Sequence, residues 1–543
     1  MNRDQMIKQL ESAKEWDVCI IGGGATGLGT AVDAASRKFS TILFEQHDFA
    51  KATSSRSTKL VHGGVRYLQQ GNVKLVIEAL KERGLMMKNA QHLVKNQRFI
   101  VPNYKWWEGP FYGIGLKIYD WMAGKLGLGP SQFLSREETL QLAPTLDPEG
   151  LRGGVIYHDG QFNDARFAIN LAQTAAEQGS TVLNYFPVTG FLKQKKGGKI
   201  SGVKVKDAIS GKEYEVKSKI VINATGVFTD ALLKMDNSKN EKILTLSQGI
   251  HLVVDKEFLP GDTAIMIPHT DDGRVLFAVP WYDKIIIGTT DTPIEEATLE
   301  PVALEEEIEF ILKHIGRYLS KDPDRMDIRS VFVGLRPLVK GKSKSTAALP
   351  RDHFITVSES GLVTITGGKW TTYRRMAEDV VNLATRNAGF PETECITSNL
   401  SIHGATEVDS EKEMFYYGSD EPLIRKLIQS KPEWAEKIHP ELFYSKAEIV
   451  WAVRQEMCMT IEDALARRTR ALLLNARAAI ESAAVVAKLM AEEMNKDQDW
   501  IDKQIIEFNS IAKNYLPTVN QQSGSSGRAQ ISSDPGIRAG TNQ

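Results

Sequence analysis

Hydrophobic positions follow two alternating rhythms through most of the chain and a single one near its end. Residues 16–21 are mainly apolar and β-branched, which predicts a buried strand. A helical pattern follows from Ala25 to about Arg37, then a second apolar run from Thr41 to Phe44. Helical spacing returns over 72–90 and strand spacing at 151–158, with a helix to about Gln178 that Gly179 closes. Strands are predicted near 181–185, 202–206, 213–217 and 219–226, with a turn at Ser210-Gly211. The stretch 243–300 reads as strands broken by turns at 271–273 and 281–284. A helix over 304–319 precedes strands at 329–333 and 353–357. Residues 361–375 then repeat the opening order of strand, glycine turn and helix.

From Thr406 to Lys513 apolar residues recur every three or four positions, and Thr460 with Asp463 resembles a helix-capping pair. The expected fold class is α/β with a separate C-terminal helical domain. No internal repeat is evident, and the Ser- and Gly-rich tail reads as disordered.

The first turn carries chemistry. Gly22, Gly24 and Gly27 stand in G-x-G-x-x-G register between two strands, and Glu45 lies 23 positions after Gly22. Gly22 permits the tight turn, Gly24 lets a pyrophosphate approach the backbone, and Gly27 lets helix and strand pack closely. The helix N-terminus, around Ala25 and Thr26, offers N–H groups to phosphate. Glu45 suits an adenosine ribose and would repel a 2′-phosphate, so the motif favours FAD or NAD over NADP without choosing between them.

Composition narrows the partners. The 543 residues exceed one ordinary core, so two or three domains are expected. A hydrophobic content of 42%, a charged content of 25% and a formal net charge of −1 are those of a soluble globular protein with no global case for nucleic-acid binding. Cys19, Cys395 and Cys458 are few, odd in number and widely spaced, which suggests a reducing compartment. Residues 1–15 lack the apolar core of a signal peptide, and no run is long enough to span a bilayer. Any membrane contact is therefore expected to be peripheral.

Two further stretches stand out. Residues 46–67 are dense in hydroxyls and cations and end in Lys59-Leu-Val-His-Gly-Gly-Val-Arg-Tyr67. Such a loop can offer donors to a phosphate or a flavin edge, although loops of this polarity are also ordinary linkers. Residues 99–130 concentrate Tyr104, Trp106, Trp107, Phe111, Tyr112, Tyr119 and Trp121, which fits a small core, a partner surface or a membrane-facing patch.

These motifs converge on a resemblance to the FAD-dependent glycerol-3-phosphate dehydrogenase family over about residues 16–515. It is carried by Gly22-Gly-Gly-Ala-Thr-Gly27, 57–67, Ile222-Asn-Ala-Thr-Gly226, 249–254, Gly288-Thr-Thr-Asp291, Gly334-Leu-Arg-Pro-Leu338, Pro350-Arg-Asp352 and Gly367-Gly-Lys-Trp-Thr-Thr-Tyr373. The resemblance implies a Rossmann-like FAD-binding domain (16–80, 150–235 and 350–390) interleaved with a β-sheet substrate or cap domain (81–149 and 236–349). A helical domain at 405–516 and a tail at 517–543 complete it.

The implied reaction oxidises sn-glycerol 3-phosphate to dihydroxyacetone phosphate, with hydride transfer to FAD and electrons passed to a quinone. A phosphate dianion calls for several arginines and a secondary alcohol for a base. The resemblance places Arg66, Arg336 and Arg351 at the substrate, with Lys369 near substrate and flavin. His251 and His62 are both candidate bases; the family's pocket favours His251, with His62 orienting substrate. Thr53, Ser57, Lys59 and Leu60 are expected along the flavin, Val188 at the adenine, and Ala224, Thr225 and Gly226 by the pyrophosphate or ribose. Gly367, Gly368, Thr371 and Thr372 are expected at the isoalloxazine. No metal is expected. The location implied is the cytoplasm, peripheral to the inner face of the cell membrane, and a homodimer is compatible. A glycerol-3-phosphate oxidase using oxygen, and a non-catalytic FAD-binding scaffold or redox sensor, are the alternatives.

Overall fold

The apolar run at Trp16–Ile21 becomes the centre of a mainly parallel sheet in the computed structural model, which describes residues 1–64, 72–194, 198–340, 352–409 and 412–517. In order, the strands of this sheet are His353–Val357, Val363–Gly367, Glu213–Asn223, Trp16–Ile21, Thr41–Phe44 and Thr181–Leu183, with the hairpin Val188–Lys193 and Ile200–Lys206 added on Glu213–Asn223. Ile21 is in register with both Phe44 and Asn223. The residues that follow these three, Gly22, Glu45 and Ala224, therefore emerge together at the carboxyl edge of the sheet, where open α/β folds bind ligands. Helix Ala25–Ser36 covers the sheet between helices Asp164–Glu177 and Tyr373–Asn387. Cys19, Ile20, Ile42 and Leu43, alternating between the two faces of the sheet, are all fully buried, each large apolar side chain contributing about 1.5–3 kcal/mol.

A second, largely antiparallel sheet runs Thr292–Ile294, Leu244–Asp255, Lys284–Gly288, Leu276–Trp281, Ala264–Ile267, Val94–Asn103, Gly153–Phe162 and Leu60–Val61. Ser330–Val339 pairs with Leu244–Asp255, which sets Phe332 and Gly288 on either side of His251 and Arg336 opposite Ser247. Gly153–Phe162 pairs along its length with Val94–Asn103. It belongs to the cap sheet, not to the FAD-binding segment expected to start at 150. Leu60–Val61, expected in the same domain, also pairs into the cap sheet. Both sheets need buried apolar strands, so periodicity does not reveal which sheet takes a given one.

Residues 415–515 are mostly helical, as the spacing predicted, but the described residues 406–409 and 436–445 carry no helix, and the helical pattern is broken again after Thr460. Thr460 and Asp463 cap one another through Thr460 N to Asp463 Oδ2 (3.0 Å) and Asp463 N to Thr460 Oγ1 (3.2 Å). The turn that follows, Asp463–Arg468, is wound with π spacing, and Thr469 N reaches back to Ala464 O. An additional helix at Arg3–Ser12, which the polar N-terminus did not announce, buries Met6 and Leu10. The tail expected to be disordered lies outside the described residues from 518 onward.

Candidate active site

The glycine turn closes as its residue types require. Gly22 has φ of +110°, and a Cβ on Gly27 would lie 1.8 Å from Gly22 O, so neither position admits a side chain. The N-cap residue of the helix that begins at Ala25 is Gly24, which has no side chain, and Ser54 Oγ accepts from Ala25 N (2.9 Å). Glu45 stands at the end of its strand, where its carboxylate accepts from Gly23 N (2.6 Å) and His47 N (2.9 Å). Burial raises its pKa, and those two N–H groups counter the rise.

A cleft runs along this edge, lined by Gly22, Gly24, Ala25, Thr26, Glu45, Thr53, Val188, Ala224, Thr225 and Gly226, all expected at a dinucleotide. An open helix N-terminus beside glycine backbone and one acid fits FAD, the group implied by the resemblance.

The loop 53–60 walls two spaces. Thr53 and Ser54 face the dinucleotide cleft, while Thr58 and Leu60 face a second cavity of about 550 Å³. The loop is pinned by Thr53 Oγ1 to Leu335 O (2.8 Å) and by Trp370 Nε1 to Ser54 O (2.8 Å). The second cavity is mixed in chemistry. Leu60, Phe99, Tyr112, Tyr157, Met266 and Phe277 give it apolar wall, while Thr58, His62, Asp159, His269, Arg274, Thr289, Asp291 and Arg336 give it polar wall, His269 meeting Tyr112 OH at 3.4 Å.

Arg336 is the one expected arginine within the described residues; Arg66 and Arg351 lie outside them. Its guanidinium donates to Thr290 O (2.9 Å), Thr289 Oγ1 (3.1 Å), Ser247 Oγ and Gln248 O (both 3.3 Å), with Asp291 Oδ1 at 3.4 Å. This fixes the fork at the cavity wall while its side chain stays 19% exposed.

The two histidines part company. His62 lines the cavity, and its backbone N donates to Thr371 Oγ1 (3.3 Å). His251 is buried behind the wall and meets the cavity through Thr58, whose Oγ1 is 2.9 Å from His251 Nε2. Its ring stacks on Phe332 (centroids 4.7 Å apart, planes 13° apart). Burial first, then the charges of Lys59 and Arg336, hold its pKa well below the usual histidine value.

Lys59 and Ser57, expected along the flavin, turn their side chains into the core. Lys59 Nζ donates to Asp164 Oδ2 (2.6 Å) and Ser55 O (2.9 Å), and Ser57 Oγ to Asp164 Oδ2 (2.7 Å). A carboxylate at the start of helix Asp164–Glu177 draws both residues inward, which a one-dimensional pattern does not display. Burial pulls the Lys59 ammonium down to about 7 against the attraction of Asp164. Gly367 and Gly368 form a left-handed turn with φ of +77° and +72°. Lys369 follows, half-buried at the head of the turn Trp370–Thr372 and not among the residues that line the cavity. Thr372 Oγ1 donates to Lys369 O (3.2 Å). Sequence reasoning missed Ser54, Thr58, Thr289 and Asp291 as individuals, although Asp291 closes a quoted motif.

Residues 17–374 match the model of the FAD dependent oxidoreductase family, and 363–501 match that of the C-terminal domain of alpha-glycerophosphate oxidase. The chain is similar to a mitochondrial glycerol-3-phosphate dehydrogenase of Schizosaccharomyces pombe, with 38% identity over 92% of this chain and 88% of that protein. It is also similar to the mitochondrial glycerol-3-phosphate dehydrogenase of Homo sapiens, with 39% identity over 95% of this chain and 75% of the other. Among solved structures, the glycerol-3-phosphate dehydrogenase of Bacillus halodurans complexed with FAD superimposes with a TM-score of 0.78 at 30% identity, covering 96% of this chain and 99% of that one.

Proposed function

Because the chain belongs to the FAD-dependent glycerol-3-phosphate dehydrogenase family, we propose that it oxidises sn-glycerol 3-phosphate to dihydroxyacetone phosphate and hands the electrons to a quinone. The observation that carries this reading is the shared loop 53–60. It places a cavity lined by Arg336, His62 and Thr58, the last backed by His251, directly beside the dinucleotide cleft.

FAD supplies the hydride acceptor. The glycine turn, Glu45 and the 224–226 turn would hold its dinucleotide, with Thr53 and the 367–372 turn toward its ring. Arg336 presents a fixed planar fork suited to a phosphate dianion. Arg66 and Arg351 are proposed to complete the dianion site, and Lys369 to add positive charge. His251 is proposed as the base and His62 as the group that orients the alcohol. The dianion brings two negative charges toward Arg336, one of the two cations that hold His251 neutral, so bound substrate raises the basicity of the imidazole.

Two features support a lipid-soluble acceptor. Leu60, Phe99, Met266 and Phe277 in the cavity lining offer apolar surface suited to a quinone ring. Phe111, at the cavity mouth, also belongs to an exposed apolar stripe on helix Glu108–Ala123. Phe111, Ile114, Ile118 and Trp121 are 51%, 61%, 45% and 82% exposed, and Trp106 just before the helix is 77% exposed. Lys105, Lys117 and Lys125 flank the stripe, the arrangement of a helix lying in a bilayer interface. Tyr112, Leu116 and Tyr119 on the opposite face are buried. The aromatic stretch thus divides between core and surface. Among the described residues no helix is long and apolar enough to cross a membrane, so contact through this stripe would be peripheral, proposed on the inner face of the cell membrane.

Anaerobic mixing of the FAD-loaded protein with glycerol 3-phosphate tests the reading. Bleaching of the flavin band, and faster reoxidation by a short-chain quinone than by air, are expected. An unbleached flavin sinks the substrate assignment, and faster reoxidation by oxygen with peroxide release replaces dehydrogenase by oxidase.

A further inference from the structure

The cavity wall separates the proposed base from the place where the alcohol must sit. His251 is 3% exposed, and the residue it touches at the wall is Thr58. The imidazole is clamped in place. Phe332 stacks on one side, and on the other Gly288 approaches so closely that a Cβ there would lie 2.4 Å from His251 Cδ2. His251 Nδ1 makes no hydrogen bond among the described residues, so Thr58 Oγ1 is the one group there joined to the ring's polar atoms. A ring so held cannot swing into the cavity without losing the stack and overrunning the strand Lys284–Gly288.

We propose that Thr58 is a catalytic residue, whose hydroxyl relays the substrate's proton to His251. This rests on the reading of the site given above. Thr58 lines the cavity, and its Oγ1 stands at hydrogen-bond distance from Nε2. In the step, the alcohol O–H bond breaks and its proton passes to Thr58 Oγ, while the proton already on Thr58 passes to His251 Nε2. The C2–O bond becomes a carbonyl as C2 gives up its hydrogen with the bonding electron pair, a hydride that FAD would accept when held by the glycine turns. One proton and one hydride leave the substrate, and the threonine ends as it began. A hydroxyl serves here because it donates and accepts at once. The neighbouring Ser57 cannot substitute, since its hydroxyl is committed to Asp164.

Three variants and one isotope measurement test the relay on the FAD-loaded protein. Thr58→Val keeps the shape and removes the hydroxyl; kcat should fall by about 100-fold or more, the usual scale of general-base assistance. Calorimetric affinity for dihydroxyacetone phosphate should stay within about threefold, since Arg336 is untouched. Thr58→Ser should recover most of the rate. With unaltered protein, rate against deuterium fraction in mixed H₂O and D₂O should curve, as two protons move together; a straight line would mean a single proton in flight and overturn the relay. So would Thr58→Val at full kcat, or His62→Asn losing what Thr58→Val keeps, which would make His62 the direct base. If unaltered protein fails to oxidise glycerol 3-phosphate at all, the functional reading has failed and not the relay.

Discussion

Two regions of this molecule use arginine to opposite ends. At the joint between the helical domain and the FAD-binding sheet, Arg467 and Arg468 converge on Asp48, three residues past Glu45. Arg467 Nε and Arg468 Nη1 reach Asp48 Oδ2 at 2.5 and 2.6 Å, and Arg468 Nη2 reaches Asp48 Oδ1 at 2.8 Å. Arg467 also holds Glu462 and Asp463, both at 2.7 Å, and Arg166 pairs with Glu456. None of these arginines lines either site cavity. Arg336, by contrast, keeps contacts of 2.9–3.4 Å, mostly to neutral oxygens, and faces open volume. An arginine whose charge is matched by short bonds to carboxylates cements a fold. One held mainly through neutral oxygens, with the Asp291 carboxylate at 3.4 Å, stands at a cavity wall where an anionic ligand can approach it.

The largest effect should come from breaking the joint. Asp48→Ala leaves two guanidinium groups buried without their shared anion, at a cost of about 3–5 kcal/mol. Little soluble protein, or a melting point far below the parent's, is expected. A variant that melts with the parent would show that the joint adds nothing to the fold. Arg336→Ala should do the reverse. Its melting point should stay close to the parent's, while KM for glycerol 3-phosphate rises by about 10- to 100-fold, the worth of a charge-assisted pair. An unchanged KM removes Arg336 from the phosphate site.

The same contrast explains what could be read from sequence. The glycine turn and Glu45 were legible because each position answers a backbone requirement, and their register places all of them on one sheet edge. Arg336 was legible through its motif. Loop 46–67 was recognised as chemical, but not which of its hydroxyls face a cavity. Ser57 and Thr58 are adjacent and similar, and what separates them is Asp164, more than a hundred residues away. The ionic joint was invisible for the same reason. Arg467 and Arg468 sit in a helical pattern like any solvated pair, and π winding, which periodicity does not encode, turns them inward.

A smaller effect is expected where neither kind of arginine is involved. Replacing Ile118 and Trp121 by Glu and Ser should weaken binding of the protein to anionic lipid vesicles by about tenfold per position. Turnover with a water-soluble quinone should not change. Equal vesicle binding by parent and variant would remove helix Glu108–Ala123 from the bilayer.

The smallest effect refines the joint itself. His403 ties the far end of helix Asp164–Glu177 to the helical domain, contacting Glu177 through Nδ1 (2.5 Å) and Asp420 through Nε2 (2.8 Å). Burial alone would lower its pKa, but hydrogen bonds to Asp420 and Glu177 outweigh burial and raise it to about 9. A histidine raised on folding contributes stability that is complete below its unfolded value near 6.5 and is lost as pH climbs through 9. Glu177 is half exposed, so solvent screening leaves about 1 kcal/mol, a degree or two of melting temperature in a chain this long. Melting curves of the parent and of His403→Gln, taken from pH 6 to pH 10, should therefore start apart and converge near pH 10. Curves that stay parallel would mean that His403 is neutral throughout. The joint would then draw its strength from Asp48 and its arginines, whose charges do not change over that range.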